Sequence, residues 1–151
     1  MLHVALWEPE IPPNTGNIGR LCAATGTRLH LIGRLGFRLD DRDLKRAGCD
    51  YWPAVDVAFH DSLEAFEANL PDSRILCLSA RATVPYTQVQ FRDGDCLVFG
   101  SESRGLPPDF VLRHADCRFV IPMPTDKVRS LNLATAAGIV LYEALRQVHN
   151  W

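Results

Sequence analysis

The chain of 151 residues is predicted to fold as an α/β domain in which a parallel sheet is flanked by helices. Short apolar runs alternate with helix-forming segments along the whole length. Two of the runs, residues 74–79 and 96–100, are almost continuously apolar, as strands buried on both faces are. We expect residues 1–151 to form one domain, because this length leaves little room for a second core.

Composition narrows the class of protein. Hydrophobic residues make up 47% and charged residues 23% of the chain, which excludes a disordered protein. A net charge of −2 argues against a polycationic protein that coats nucleic acid. A local basic stretch remains, because residues 28–46 carry six basic and three acidic side chains. By itself that stretch is typical of a solvated surface.

The chain lacks the sequence features of membrane, secreted and metal-binding proteins. No apolar run approaches the length of about 18 residues that a membrane span needs. The first ten residues have no basic segment and reach Glu8 too soon for a signal peptide. The five cysteines form no Cys-x-x-Cys pair, and the five histidines show no metal-ligand spacing. We therefore expect a cytoplasmic protein with reduced thiols, no metal and no membrane partner.

The first third of the chain predicts two strands around one helix. His3–Trp7 and Arg28–Ile32 are short apolar runs. Residues 8–16 are predicted to form a loop, because three prolines stand there. Residues 17–25 follow as an amphipathic helix that ends at Gly26.

The pattern in the middle of the chain predicts two further helices and one strand. Residues 40–47 are predicted to form a short polar helix, and residues 55–59 a strand. A helix is predicted over residues 61–70, with Asp61 as its N-cap and Glu64 as the capping-box partner.

The last part of the chain completes the alternation. Strands are predicted at residues 74–79, 96–100 and 118–121, and a long helix from 131 to 148 capped by Ser130. The apolar stripe of that helix consists of Leu133, Ala137, Val140, Leu141, Ala144 and Val148.

The first of three polar segments after strands is Asn14-Thr15-Gly16-Asn17-Ile18-Gly19-Arg20. It resembles a dinucleotide fingerprint only superficially, because Asn14 stands where the first glycine should be. A helix N-terminus favours anions, so the segment could bind a phosphate near Arg20. An Asx-rich helix cap followed by a surface arginine explains it equally well.

Two later segments also follow strands. Gly100 would let a ligand approach the backbone after the fifth strand, although a turn closed by a Glu102–Arg104 contact is the simpler explanation. In residues 121–133, Ser130 and Asn132 could serve only as local hydrogen-bonding groups. Because parallel strands bind ligands at their carboxyl ends, the three loops could close on one small polar ligand.

In this order the segments resemble the three motifs of the SpoU-type RNA 2′-O-methyltransferases of the SPOUT superfamily. The first is similar to Asn-x-Gly-x-x-x-Arg, the second to Phe-Gly-x-Glu-x-Arg-Gly, and the third to Ile-Pro-Met followed by Ser-x-Asn-Leu. Residues 8–18 and Arg46-Ala-Gly-x-Asp50-Tyr51 resemble the TrmL-like subgroup, which methylates the wobble nucleotide of tRNA. The resemblance covers nearly the whole chain.

The resemblance implies a SPOUT fold with a C-terminal trefoil knot, and a homodimer with its active site at the subunit interface. It implies S-adenosylmethionine as the cofactor, held mainly by backbone groups. It places Arg20 beside the target ribose as the catalytic residue, supported by Asn14 and Asn132. The implied cofactor-binding positions are Leu78, Gly100, Glu102, Ile121, Met123, Ser130 and Leu131.

The implied substrate is the ribose 2′-hydroxyl of cytidine or uridine at the wobble position, with a leucine tRNA expected and the anticodon stem-loop as the bound part. Arg42, Arg46 and Tyr142 are the candidate RNA-binding residues. Two positions depart from close relatives. Gly19 replaces an apolar residue, which could cost the helix up to about 1 kcal/mol, and Ser101 replaces proline.

The role of Arg20 and the class of activity have alternatives. Arginine is effectively always protonated, so we expect Arg20 to orient the nucleotide and stabilise alkoxide charge rather than act as a base. The aromatic side chains are expected to be buried, although they could stack RNA bases: Trp7, Phe37, Tyr51 and Trp52. Alternative functions are a non-catalytic RNA-binding or assembly factor on the same fold, or an oxidoreductase with a nucleotide cofactor.

Overall fold

The computed structural model describes residues 1–38 and 51–151, and in these ranges six strands form one parallel sheet. The strands lie in the order β3-β2-β1-β5-β4-β6. Every pairing between neighbours is parallel. The strands are β1 His3–Trp7, β2 Arg28–Ile32, β3 Val57–His60, β4 Ile75–Leu78, β5 Cys96–Phe99 and β6 Arg118–Phe119.

Four α-helices in the same ranges flank the sheet, so the predicted architecture of a parallel sheet covered by helices is confirmed. They are α1 Pro12–Thr25, α2 Leu63–Asn69, α3 Pro108–Arg113 and α4 Leu133–His149. Short 3₁₀ turns occur at Trp52–Ala54, Tyr86–Gln88 and Ala115–Cys117. The helix predicted over residues 40–47 lies outside the described residues.

Apolar side chains on the two faces of the sheet form two cores. Successive residues of a strand point to opposite faces, so Leu6 packs on one side and Ala5 on the other. α1 and α4 cover the first face, where Ile18 and Leu141 are fully buried. Phe66 of α2 and Phe110 of α3 fill the second core. Burial on both faces explains why β5 reads as a continuous apolar run.

The loop predicted over residues 8–16 is wrong at its C-terminal end, because α1 begins at Pro12. Pro12 and Pro13 occupy the first helical positions, where a backbone N–H would have no partner within the helix. Asn14 therefore lies in the first turn of α1, where it is buried. The predicted helix end is confirmed at Gly26, whose φ of 66° is left-handed.

The predicted N-caps of two helices are each wrong by one or two residues. Ser62 rather than Asp61 caps α2, since the Ser62 hydroxyl accepts a hydrogen bond of 3.1 Å from the Ala65 N–H. Asn132 rather than Ser130 caps α4. In each case two polar residues stand close together, and the direction from which the chain enters the helix selects between them.

The described cysteines Cys22, Cys77, Cys96 and Cys117 are free thiols, and Cys49 lies outside the described residues. Burial raises the pKa of Cys22 and of Cys77 to about 12, so these thiols are poor nucleophiles. In residues 1–38 and 51–151 no helix combines the length and the hydropathy needed to cross a bilayer.

Candidate active site

The strand order brings the three predicted loops to one edge of the sheet. β1 pairs with β5, so the loops that start at Glu8 and at Gly100 are neighbours. β4 lies between β5 and β6, so Leu78 and the segment after β6 end at the same edge. The expectation that these loops meet is therefore met by the topology.

A hydrogen bond joins the first polar segment to the third. The Asn132 side-chain amide donates to the Asn14 Oδ1 over 3.0 Å. The other end of the Asn132 amide caps α4, because its Oδ1 accepts from the N–H groups of Ala134 (2.9 Å) and Thr135 (3.2 Å). Asn132 thus fixes the start of α4 against the first turn of α1.

Glu102 and Arg104 of the second segment contact residues of the first segment. The sequence also allowed a contact between Glu102 and Arg104 themselves, but these side chains bind other partners. Arg104 donates to Glu8 over 3.1 Å and lies 4.9 Å from the centre of the Trp7 ring. The Glu102 carboxylate instead accepts from the backbone N–H groups of Glu10 and Ile11. Both charged side chains therefore bridge two loops.

Gly100 is required for a reason that differs from the predicted one. A Cβ on Gly100 would lie 2.1 Å from the Gly105 carbonyl carbon and 2.3 Å from the Leu106 nitrogen. The backbone of Gly105 and Leu106, in the same loop, fills this space. Ser101 and Gly105 pair there in a β-bridge. In this structure the glycine accommodates the loop's own backbone rather than the close approach of a ligand.

Six of the seven candidate cofactor positions lie in the loops that follow β5 and β6, and the seventh, Leu78, ends β4. Leu78 is the last residue of β4, and Gly100 follows β5 directly. Among the described residues, no hydrogen bond is formed by the backbone from Ile121 to Leu131. Its N–H and C=O groups can thus bind the edge of a polar ligand. This free backbone fits a cofactor that is held mainly by main-chain groups.

Arg20 is exposed on α1, and an aromatic ring supports it. Its guanidinium carbon lies 5.6 Å from the centre of the Tyr51 ring. The Tyr51 hydroxyl donates to the Gly16 carbonyl, one turn earlier on the same helix. This contact with a distant tyrosine could not be deduced from the sequence. The attraction between a guanidinium and an aromatic face favours a fixed orientation of Arg20, which suits a residue that binds phosphate or an alkoxide.

Three histidines form one hydrogen-bonded chain, although their sequence spacing gives no sign of it. The His3 Nδ1 lies 2.9 Å from the His30 Nε2, and the His30 Nδ1 lies 2.9 Å from the His60 Nε2. Burial and the neighbouring histidines lower the pKa of His30 to about 3. In the described part of the chain no group of three or more side chains could hold a metal ion. This cluster is therefore a separate polar feature, on adjacent strands β1, β2 and β3.

Comparison with known proteins adds the family. The model of the SpoU rRNA Methylase family matches residues 1–142. The chain belongs to the SpoU family. It is 48% identical over 150 residues to an Escherichia coli protein named tRNA (cytidine(34)-2′-O)-methyltransferase, with 98% of this chain and 94% of the relative covered.

Solved structures of SpoU proteins share the fold. One, reported as "Structural insights into the 2-OH methylation of C/U34 on tRNA", has a TM-score of 0.93 and 51% identity, covering 100% of this chain and 98% of that one. An rRNA methyltransferase from Sinorhizobium meliloti with bound AdoMet has a TM-score of 0.84 and 28% identity. This second match covers 96% of this chain and 56% of the longer Sinorhizobium protein.

The structure gives a reason for Gly19 and for Ser101, the two positions expected to depart from close relatives. A Cβ on Gly19 would lie 2.6 Å from the Cζ3 of Trp52, so the glycine makes room for this ring. The Ser101 side chain is buried, and its hydroxyl accepts a hydrogen bond of 3.2 Å from the Arg104 N–H. A proline at this position could not supply that acceptor.

The candidate RNA-binding residues are placed only in part. Arg42 and Arg46 lie outside the described residues. Tyr142 is exposed on α4, with its ring centre 6.4 Å from that of Trp151. The expectation of buried aromatic side chains holds only partly, because all four are half-buried: Trp7, Phe37, Tyr51 and Trp52. Two of them, Trp7 and Tyr51, contact arginines.

Proposed function

We propose that this chain transfers a methyl group to the ribose 2′-oxygen of cytidine or uridine at position 34 of tRNA. The name of the Escherichia coli relative describes this reaction for cytidine, and the report on the solved relative with 51% identity refers to C/U34. The observation that carries the proposal is the joining of the three SpoU motifs at one sheet edge. The Asn132–Asn14 bond joins the first motif to the third, and Glu102 joins the first to the second. A leucine tRNA, bound through its anticodon stem-loop, is the proposed substrate.

S-adenosylmethionine is the proposed cofactor, and it supplies a methyl group that the positive sulfur has already activated. The free backbone from Ile121 to Leu131 would hold it, together with the chain at Leu78, Gly100 and Glu102. Met123 and Ser130 lie within this free backbone segment. Because the methyl group is activated, this chain has to align the 2′-oxygen and help it lose its proton.

Arg20 is the proposed catalytic residue. An arginine side chain is effectively always protonated, so its part is to bind and orient the nucleotide and to stabilise the developing alkoxide. The planar guanidinium, held over Tyr51, provides several donors in a fixed geometry. Asn14 and Asn132 support the site through the helix starts that they join.

An Arg20→Lys variant tests this role against a role for charge alone. We expect the Arg20→Lys enzyme to lose most of its kcat, because a lysine side chain cannot reproduce the two-pronged geometry of the guanidinium. Arg20→Ala gives the reference for complete loss of the side chain. Near-full activity of Arg20→Lys would refute the orienting role.

The RNA surface is proposed to include Arg42, Arg46 and Tyr142. If Arg42 and Arg46 bind phosphates, their charge reversal should raise the KM for tRNA, weaken its salt dependence, and leave cofactor affinity unchanged. Arg92, which is exposed in the loop before the N-terminal end of β5, is the matched control for charge reversal. Unchanged tRNA affinity would contradict the proposal and favour the alternative that residues 28–46 are an ordinary solvated surface.

The family resemblance supports three further proposals about the architecture. The C-terminal part of the sheet forms a trefoil knot, residues 1–151 form one domain, and two copies form a homodimer with the active site at their interface. Analytical ultracentrifugation measures the last of these directly. The cytoplasm, where tRNA is modified, is the proposed location, and neither a metal nor a membrane is part of the proposed mechanism.

The decisive experiment is transfer of radiolabelled methyl from S-adenosylmethionine to tRNA that lacks 2′-O-methylation, followed by digestion to nucleosides. Label in a 2′-O-methylated pyrimidine from position 34 is the expected result, with Arg20→Ala as the negative control. Label on a base, or at another position, would contradict the proposed substrate. Cofactor binding without transfer would favour a non-catalytic RNA-binding protein.

A further inference from the structure

The start of α1 has no N-cap of its own. Ile11 occupies the N-cap position and has no side chain that can accept a hydrogen bond. The first turn contains no acidic residue, and Pro12 and Pro13 have no N–H. A helix of this length therefore begins without a local acceptor for the Ile11 N–H or a negative charge for its dipole.

Glu102 supplies what the start of α1 lacks. Its Oε2 accepts from the Ile11 N–H over 2.6 Å and from the Glu10 N–H over 3.0 Å, and its Oε1 lies 3.1 Å from the Glu10 nitrogen. These bonds span more than 90 residues of sequence, from the loop after β5 to the loop after β1. A carboxylate thus sits at the positive end of α1.

The loop after β5 also donates hydrogen bonds to the loop after β1. The Glu10 carboxylate accepts from the Ser103 N–H over 3.0 Å and from the Ser103 hydroxyl over 2.6 Å. These bonds lower the pKa of Glu10, so the group is charged at neutral pH. Arg104 adds the ion pair with Glu8. Residues 8–11 and 102–104 are thereby linked from both sides.

We propose that Glu102 is a positioning residue that joins the proposed cofactor loop to the helix that carries Arg20. This inference rests on the proposed function. Both oxygens of the Glu102 carboxylate accept hydrogen bonds from the start of α1. In this proposal the backbone of Glu102 contacts the cofactor, and its side chain serves the link to α1. The side chain acts by fixing the position of α1 relative to the loop that begins at Gly100.

The geometry of α1 makes this position important. Arg20 lies eight residues beyond Pro12, which is about 12 Å along the helix. A rotation of α1 by about 5° about its first turn would move the backbone of Arg20 by about 1 Å. A displacement of about 1 Å at a reacting group can cost roughly 100-fold in rate. Since the buried Ile18 and Cys22 restrain α1, we expect a smaller but clear loss, at least about ten-fold in kcat.

The test compares Glu102→Gln and Glu102→Ala with wild type, and uses Glu64→Gln as a matched control on α2. Glu64 is an exposed glutamate in the first turn of a helix outside the site. We expect kcat for tRNA to fall at least about ten-fold in Glu102→Ala and less in Glu102→Gln, which keeps one acceptor oxygen. The Kd for S-adenosylhomocysteine, measured by calorimetry, should stay within about two-fold of wild type, because the backbone contacts remain.

A double-mutant cycle with Arg20→Ala, under single-turnover conditions, distinguishes positioning from general damage. If Glu102 acts through Arg20, Glu102→Ala should cost little further rate in the Arg20→Ala background. Additive losses, wild-type kcat in Glu102→Ala, or a Kd that rises in step with the loss of rate would each overturn the proposal.

Amide hydrogen exchange gives a readout that does not depend on methyl transfer. In Glu102→Gln, exchange at Glu10, Ile11 and Asn14 should be faster than in wild type, while exchange in α4 should be unchanged. If wild type transfers no methyl to tRNA, the proposed function fails, and this pattern still tests the link to α1. Unchanged exchange at the start of α1 would overturn the link itself.

Discussion

The histidine chain across β1, β2 and β3 predicts that the protein loses stability between pH 7 and pH 5. His30 is 2% exposed and stands between His3 and His60, with the edge of the Phe66 ring against it. Burial disfavours its protonated form most, and His3, His60 and Arg28 disfavour it further. Burial and Arg28 lower the pKa of His60. Burial, the N-terminal amine and Arg28 lower the pKa of His3, whereas Asp56 and Asp93 act in the opposite direction.

The magnitude follows from proton linkage. The pKa of His30 is about 3 in the folded state and 6.5 in the unfolded chain, so the unfolded chain binds more protons between these values. Stability is therefore complete above pH 6.5 and decreases as the pH falls through this window. His30 alone contributes a loss of about 2 kcal/mol in the free energy of unfolding between pH 7 and pH 5. His3 and His60 act in the same direction.

The assay is urea unfolding followed by circular dichroism at pH 7 and pH 5, at one protein concentration because association would be linked to folding. His30→Gln removes the titrating group and keeps one donor and one acceptor, so the loss should shrink by about 2 kcal/mol. The control is His149→Gln, because His149 is exposed and is not one of the three hydrogen-bonded histidines. An equal loss in wild type and His30→Gln would refute the reasoning. So would an NMR titration of His30 with a midpoint near 6.5.

Three other perturbations have definite expected outcomes. Asp95→Ala should lower the free energy of unfolding by about 2 kcal/mol in a urea titration, because it removes the two-pronged acceptor that Arg74 contacts at 2.7 and 2.9 Å. Gly19→Ala should lower Tm despite a better helix propensity, since its Cβ would meet Trp52 at 2.6 Å. A Tm increase would show that the ring can move aside. Asn132→Ser should keep the cap of α4 but break the bridge to α1, so kcat should fall more than stability. Equal kcat with lower stability would make this bridge purely structural.

The class of fold and the three motifs that the structure joins are visible in the sequence itself. Continuous apolar runs such as β5 identify strands buried on both faces, and this burial is a property of the local pattern. The motifs around Asn14, Glu102 and Asn132 identify the family, and all three are joined in the structure. Local patterns mislead at helix starts, where they predict a loop residue at Pro12 and a cap at Asp61, although Pro12 begins α1 and Ser62 caps α2. A helix start depends on the direction of the entering chain as much as on residue type.

Only the tertiary structure decided which side chains act on one another. Glu102 and Arg104 are neighbours in sequence, yet they bridge to Ile11 and Glu8, because β1 and β5 are adjacent in the sheet. The contact between Tyr51 and Arg20 also joins two distant parts of the sequence. The histidine chain needs three parallel strands in register before its rings can meet. Composition and periodicity are local properties, whereas these contacts depend on strand order, which brings distant segments together.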